Sequence, residues 1–171
     1  MTTKYQNHQR NWRCPLCKKR NKVCLFRGKI PARLLLVGEA PGASEDVLGQ
    51  PFKGPAGHLL NNILEDAGAD RVRHALTNLV GCIPKLPDKP SEKLREPPDW
   101  AIKACKPRVE QFLAICQPEK IVAVGELASQ HLDVDAKILH PAAILRADIS
   151  QRGLAIQRCT VVLRDLIDEM V

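Results

Sequence analysis

Four groups of residues in this chain have types and spacings that can do chemistry. Residues 37–57, Val-Gly-Glu-Ala-Pro-Gly-Ala-Ser-Glu-Asp-Val-Leu-Gly-Gln-Pro-Phe-Lys-Gly-Pro-Ala-Gly, hold five glycines, three prolines, the carboxylates Glu39, Glu45 and Asp46, and one aromatic, Phe52. Glycine lets backbone approach a ligand closely and proline stiffens turns, so this stretch reads as a rigid pocket wall. Asn78 and His140 each stand at the end of a short apolar run, and Cys14 and Cys17 form a C-x-x-C pair. Two thiols at that spacing suit one edge of a metal ion or cluster.

These groups need elements to hold them. The apolar run 34–37 predicts a buried strand, and Leu59, Leu60, Ile63 and Leu64 fall at helical spacing within a helix over 54–68, which makes 37–57 a long loop between strand and helix. Residues 73–80 suit a second strand ending near Thr77 and Asn78. Five prolines in 81–98 mark an irregular surface loop. Trp100, Ala101, Ala104, Cys105, Val109, Phe112, Leu113 and Cys116 repeat as in a helix over 98–117. A strand at 121–124, Gly125 and a helix at 126–132 follow, then a short strand at 136–139 ending in His140-Pro141 and an amphipathic helix over 148–170. Such alternation predicts an α/β fold, a three-layer sandwich with a central, mostly parallel four-stranded sheet flanked by helices. In such sheets the carboxyl ends of strands gather along one edge, so the 37–57 loop, Asn78 and His140 can share one pocket.

With 171 residues and 44% hydrophobic content, the expectation is a single domain over 1–171. The net charge of +7 is uneven: residues 1–33 carry ten Lys and Arg and no acid. That field favours a polyanion, of which nucleic acid is the commonest. No apolar run is long enough to span a bilayer and the amino terminus has no apolar h-region, so a cytoplasmic, monomeric protein without a membrane role is expected. Seven cysteines in that setting read as metal or cluster ligands and buried thiols rather than disulfides. The glycines do not follow phosphate-loop spacing and no Gly-Lys-Ser/Thr occurs, which argues against a nucleotide-binding enzyme.

Gly38-Glu-Ala-Pro-Gly-Ala-Ser-Glu-Asp-Val-Leu-Gly-Gln-Pro-Phe52, Gly54-Pro-Ala-Gly-His-Leu-Leu60, Thr77-Asn78 and His140-Pro-Ala-Ala-Ile-Leu-Arg146 together resemble the uracil-DNA glycosylase superfamily, most nearly its family 4 type, which carries an iron-sulfur cluster. The resemblance implies hydrolysis of the N-glycosidic bond of deoxyuridine in DNA, on a base taken out of the stack. It gives Phe52 the role of stacking on uracil, Asn78 that of pairing with O4 and N3–H, and Glu45 that of closing the pocket near C5. His140 would donate to the developing O2 oxyanion. Where the best-known branch has a water-activating Asp this chain has Ala40, which leaves Glu39 to orient water. Ile144, Leu145 and Arg146 would face DNA as an apolar wedge and a phosphate contact.

The same resemblance makes Cys14, Cys17, Cys82 and Cys105 the ligands of a 4Fe-4S cluster that pins the basic segment 1–33 to the sheet. Four thiolates also satisfy zinc, and spacing alone does not separate the two. Cys24 is the rival ligand, whereas Cys116 and Cys159 read as buried thiols. Two departures from the family pattern bear on substrate choice: only residues 133–139 separate the Gly125 helix from His140, and Lys53 follows Phe52. The His-containing loop by which a related branch captures DNA covalently is not visible between Cys82 and Cys105, so multi-turnover hydrolysis is expected. The alternatives are a glycosylase for another modified pyrimidine and a DNA- or lesion-binding module without catalysis.

Overall fold

A computed structural model of the chain describes residue 14 and residues 20–85 and 96–171. Its centre is a sheet of five strands, β1 (Arg27–Gly28), β2 (Leu34–Gly38), β3 (His74–Asn78), β4 (Lys120–Val124) and β5 (Ala136–Ile138), in the order β1-β3-β2-β4-β5. β2 pairs parallel with both β3 and β4, and β4 parallel with β5. The expected sheet had four strands; the fifth is β1, antiparallel to β3 and only two residues long. A strand that short carries no readable alternation.

Helices are α1 (Ala43–Leu48), α2 (Pro55–Asp66), α3 (Asp99–Cys116), α4 (Glu126–His131), α5 (Pro141–Arg146) and α6 (Ile149–Asp168). Because side chains alternate across a strand, β2 feeds two cores at once. Leu34 and Leu36 pack with Leu60 and Ile63 of α2 and Leu163 and Ile167 of α6. Leu35 and Val37 pack on the other face with Ala101, Cys105 and Phe112 of α3. Every residue of β2 is buried, as expected of a central parallel strand covered on both sides.

The expected 37–57 loop and the stretch between the last strand and the terminal helix both contain helices. In 37–57, α1 runs from Gly42 as its N-cap to a left-handed Gly49. Its pattern is inverted: Glu45 and Asp46 are buried while Val47 and Leu48 are more than half exposed, so hydrophobic periodicity cannot reveal it. α5 is one and a half turns set off by His140 as N-cap and Pro141 at the first helical position. Among the described residues no helix is long and apolar enough to cross a membrane.

Phe112 is fully buried and stacks on Phe26 at 5.0 Å between ring centroids, fastening the segment around β1 onto α3. Phe112→Ala should therefore cost about 3–5 kcal/mol of stability, read as a lower urea midpoint at unchanged slope. An unchanged midpoint would show that this ring is not a core element.

Candidate functional site

The parallel register of β2 and β3 sets Gly38 opposite Asn78 at the carboxyl edge of the sheet. Pairing continues one step beyond the strands, with Leu79 N–H donating to the Gly38 carbonyl at 2.9 Å and Val80 N–H to that of Glu39 at 3.2 Å. A Cβ on Gly38 would lie 2.5 Å from Cζ of Phe52 and 2.6 Å from Oδ1 of Asn78. Ring and amide thus meet over a position that only glycine can fill.

Phe52 reaches that spot through a left-handed backbone, φ 55°, which is costly for a bulky aromatic residue. Two features hold it there. Gly57 of α2 leaves room for the Phe52 carbonyl, with which any Cβ would collide. The buried Glu45 carboxylate accepts from the backbone N–H groups of Gly42 at 3.0 Å, Lys53 at 2.9 Å and Gly54 at 2.7 Å. Bonds to a charged acceptor contribute about 1.5–3 kcal/mol each, enough to offset the strained residue between them.

The second half of the site comes from β4 and β5. Gly125, φ 98°, follows β4 and donates its N–H to the Ile138 carbonyl at 2.9 Å. A Cβ there would lie 2.9 Å from Oε1 of Glu39 and 3.2 Å from Cβ of His140, so these side chains flank the glycine. His140 accepts from the Ala142 N–H through Nδ1 at 3.1 Å. That bond assigns the neutral tautomer, in which Nε2 carries the proton and is the ring's donor. The Phe52 and His140 ring centroids are 6.5 Å apart. Glu39, Ala40, His140 and Arg146 line a cleft of about 480 Å³, with Lys137 and Glu126 at its rim. Phe52 and Asn78, both almost fully buried, lie off that lining.

Five of the residues singled out by sequence, Glu39, Ala40, Phe52, Asn78 and His140, therefore gather around Gly38 and Gly125. Glu45 is also present, but its carboxylate is engaged by three amides, so it shapes the Phe52 turn from beneath. Ile144 is not at the surface as expected of a wedge: it is 2% exposed and belongs to the core between the sheet, α2 and α6. On a helix successive side chains point about 100° apart, so burying Ile144 turns Leu145 and Arg146 to solvent.

Two buried charged residues carry roles that the sequence did not assign. Asp46 of α1, 2% exposed, accepts from Asn21 N–H at 2.9 Å and Asn21 Nδ2 at 2.8 Å and stands 3.5 Å from Lys85 Nζ. Arg108 of α3 is fully buried against the end of β3. The available signal was a charge at an inward-facing helical position, between Cys105 and Phe112.

Cys14, Cys82 and Cys105 are buried and lie within one side-chain cluster on the α3 face of the sheet. Cys17 lies outside the described residues, and among those described no three His, Cys, Asp or Glu side chains converge as metal ligands. The donor chemistry fits a thiolate-bound cluster or zinc. Cys24 does not fit that set, because its thiol donates to the Glu45 carbonyl at 3.0 Å. Burial first, then the nearby Glu45 and Asp46 carboxylates, push this thiol up to about 12. Burial also raises Cys116 and Cys159, in keeping with buried thiols. Folding thus favours neutral Cys24; that contribution is complete below the ordinary thiol value of 9.0 and is lost as pH climbs toward about 12. Thermal melts of Cys24→Ala should accordingly fall less steeply than wild type over that window, and parallel curves would contradict the assignment.

Comparison with known proteins bears on this arrangement. The model of the family described as the uracil DNA glycosylase superfamily matches residues 26–163. The Type-4 uracil-DNA glycosylase of Pyrobaculum aerophilum is 38% identical over 120 residues, 70% of this chain and 58% of that protein. The Type-4 uracil-DNA glycosylase of Thermotoga maritima is 36% identical over 115 residues, 67% of this chain and 56% of its own length. That of Saccharolobus solfataricus is 33% identical over 121 residues, 70% of this chain and 53% of its own. The chain thus spans just over half the length of the curated relatives it matches. With the matched region covering both strand ends, Phe52, Asn78, Gly125 and His140, the chain belongs to the uracil DNA glycosylase superfamily.

Proposed function

We propose that the chain removes uracil from DNA by hydrolysing its N-glycosidic bond, leaving an abasic site. The observation that carries this reading is the meeting of the Phe52 ring and the Asn78 amide over Gly38, with the His140 ring 6.5 Å from that of Phe52. A flipped base needs a flat apolar surface, an edge reader and a donor for the charge it takes away. Phe52 supplies the surface. Asn78 accepts from N3–H and donates to O4, a pattern that cytosine, with no N3–H and an amino group at C4, does not match.

As the bond from C1′ to N1 breaks, the electron pair leaves with uracil and the sugar becomes cationic. Neutral His140 donates a hydrogen bond through Nε2 to the O2 oxyanion, and water held by Glu39 adds to C1′, losing one proton by way of the Glu39 carboxylate to the departing uracil anion, which leaves as neutral uracil. Ala40 offers no carboxylate for this task, so the sugar cation is met by positioned water rather than by a strong base. Glu45 keeps Phe52 in place from beneath its turn. Leu145 and Arg146, exposed on α5 beside the cleft, meet the DNA, while the basic segment 1–33 adds a phosphate-directed field.

Cys14, Cys17, Cys82 and Cys105 would hold a 4Fe-4S cluster. Bound there, it would supply a structural tie between the amino-terminal segment and α3, and no part of the reaction. The working unit is one domain, acting as a monomer inside the cell.

Purified protein incubated with a uracil-containing oligonucleotide and then treated with alkali should give scission at the uracil. His140→Ala should lose about 100- to 1,000-fold in rate, the range for removing one oxyanion donor. Absence of scission on single- and double-stranded substrates at every salt concentration would sink the reading, and release of bulkier pyrimidines instead of uracil would shift it to another lesion. Iron and sulfide content, with visible absorbance lost in Cys105→Ala, tests the cluster; stoichiometric zinc in colourless protein would replace it.

A further inference from the structure

We infer that Arg108 is a positioning residue for base recognition: its buried guanidinium sets where Asn78 presents its amide. The inference rests on the uracil-excision reading above. Arg108 occupies an inward position of α3 and is 0% exposed. Burying a guanidinium costs several kcal/mol unless its donors are satisfied, so it is informative where those donors go. The two terminal nitrogens turn to the end of β3 and to Leu25. Nη2 donates to the carbonyl of Asn78 and to that of Leu79 at 3.1 Å. Nη1 is 3.3 Å from the Thr77 hydroxyl and 3.4 Å from the Leu25 carbonyl, and the hydroxyl itself donates to Leu25 at 2.6 Å.

The opposite side of the same backbone is held by the pocket loop, through Leu79 N–H to Gly38 and Val80 N–H to Glu39. The main chain at Asn78 is thus clamped between α3 and the loop that carries Glu39. Only the two side-chain torsions of Asn78 remain, and the approach of Oδ1 to Gly38 restricts those. A planar fork that sends one arm to two successive carbonyls and the other to the Thr77 hydroxyl and the Leu25 carbonyl is a property of arginine; the compact ammonium of lysine cannot reproduce it. Arg108 touches neither base nor sugar in this arrangement. Its effect passes entirely through Asn78, so it should act on uracil recognition and not on the DNA backbone.

The test uses the full chain carrying Arg108→Met, Arg108→Lys or Thr77→Val. Three quantities are read: the Asn78 side-chain amide signals in ¹⁵N–¹H spectra, identified by their loss in Asn78→Ala; the single-turnover rate of uracil release; and affinity for DNA holding a stable abasic site. In the Met variant the Asn78 signals should shift and the rate should fall by up to about 100-fold, the cost of misplacing a reacting partner by about 1 Å. Abasic-DNA affinity should stay at the wild-type value, and Lys should recover part of the rate. Unmoved Asn78 signals, or rate and affinity falling together, would overturn the inference. If the Met variant does not fold, Thr77→Val decides, since it removes one hydroxyl from the same clamp and must also move the Asn78 signals. A wild-type chain that releases no uracil defeats the excision reading alone, because the amide signals still report whether Arg108 positions Asn78.

Discussion

The site depends on the missing side chain at Gly38. Parallel pairing of β2 with β3 brings this residue opposite Asn78, and the space that a methyl group would fill is shared by the Phe52 ring and the Asn78 amide. An alanine there would push into both groups at once. Everything else at the edge of the sheet serves to keep that space occupied by the right atoms. Glu45 and Gly57 hold Phe52 in a backbone conformation it would not choose, and Gly125 admits Glu39 and His140 to the other side.

Buried charge does much of this holding. α1 turns its carboxylates inward and its apolar residues out, the reverse of an ordinary surface helix. Glu45 satisfies the amides on either side of the Phe52 turn, while Asp46 accepts from Asn21 and faces Lys85. The stretch from Asn21 to Cys24 is thereby joined to the pocket through two adjacent residues of one short helix. Such networks are costly when partly satisfied and rigid when complete, which suits the proposed role of holding a flipped base in one position.

Much of this was legible in the sequence. Continuous apolar runs marked β2 and β4, and the helical repeat that includes Ala101, Cys105, Val109, Phe112 and Cys116 marked α3, because burial on one side imposes a period. Glu39, Phe52, Asn78 and His140 could be expected to share one edge because each follows a strand or lies in the loop after one. β1 escaped because two residues make no pattern, and α1 because its buried face is polar. Ile144 was expected at the surface because the resemblance turns the whole stretch 144–146 toward DNA, and only the helical turn of α5 separates its direction from that of Leu145. Arg108 was invisible as a clamp: its partners are backbone carbonyls, which no side-chain pattern announces.

The central claim is that Phe52, Asn78 and His140, gathered around Gly38, form a uracil pocket, and a crystal structure of the protein with uracil and abasic DNA tests it most directly. The account predicts the base stacked on Phe52, its O4 and N3–H edge on the Asn78 amide and its O2 within hydrogen-bond reach of His140 Nε2. A base bound elsewhere, with Phe52 and Asn78 still closed against each other, would contradict it.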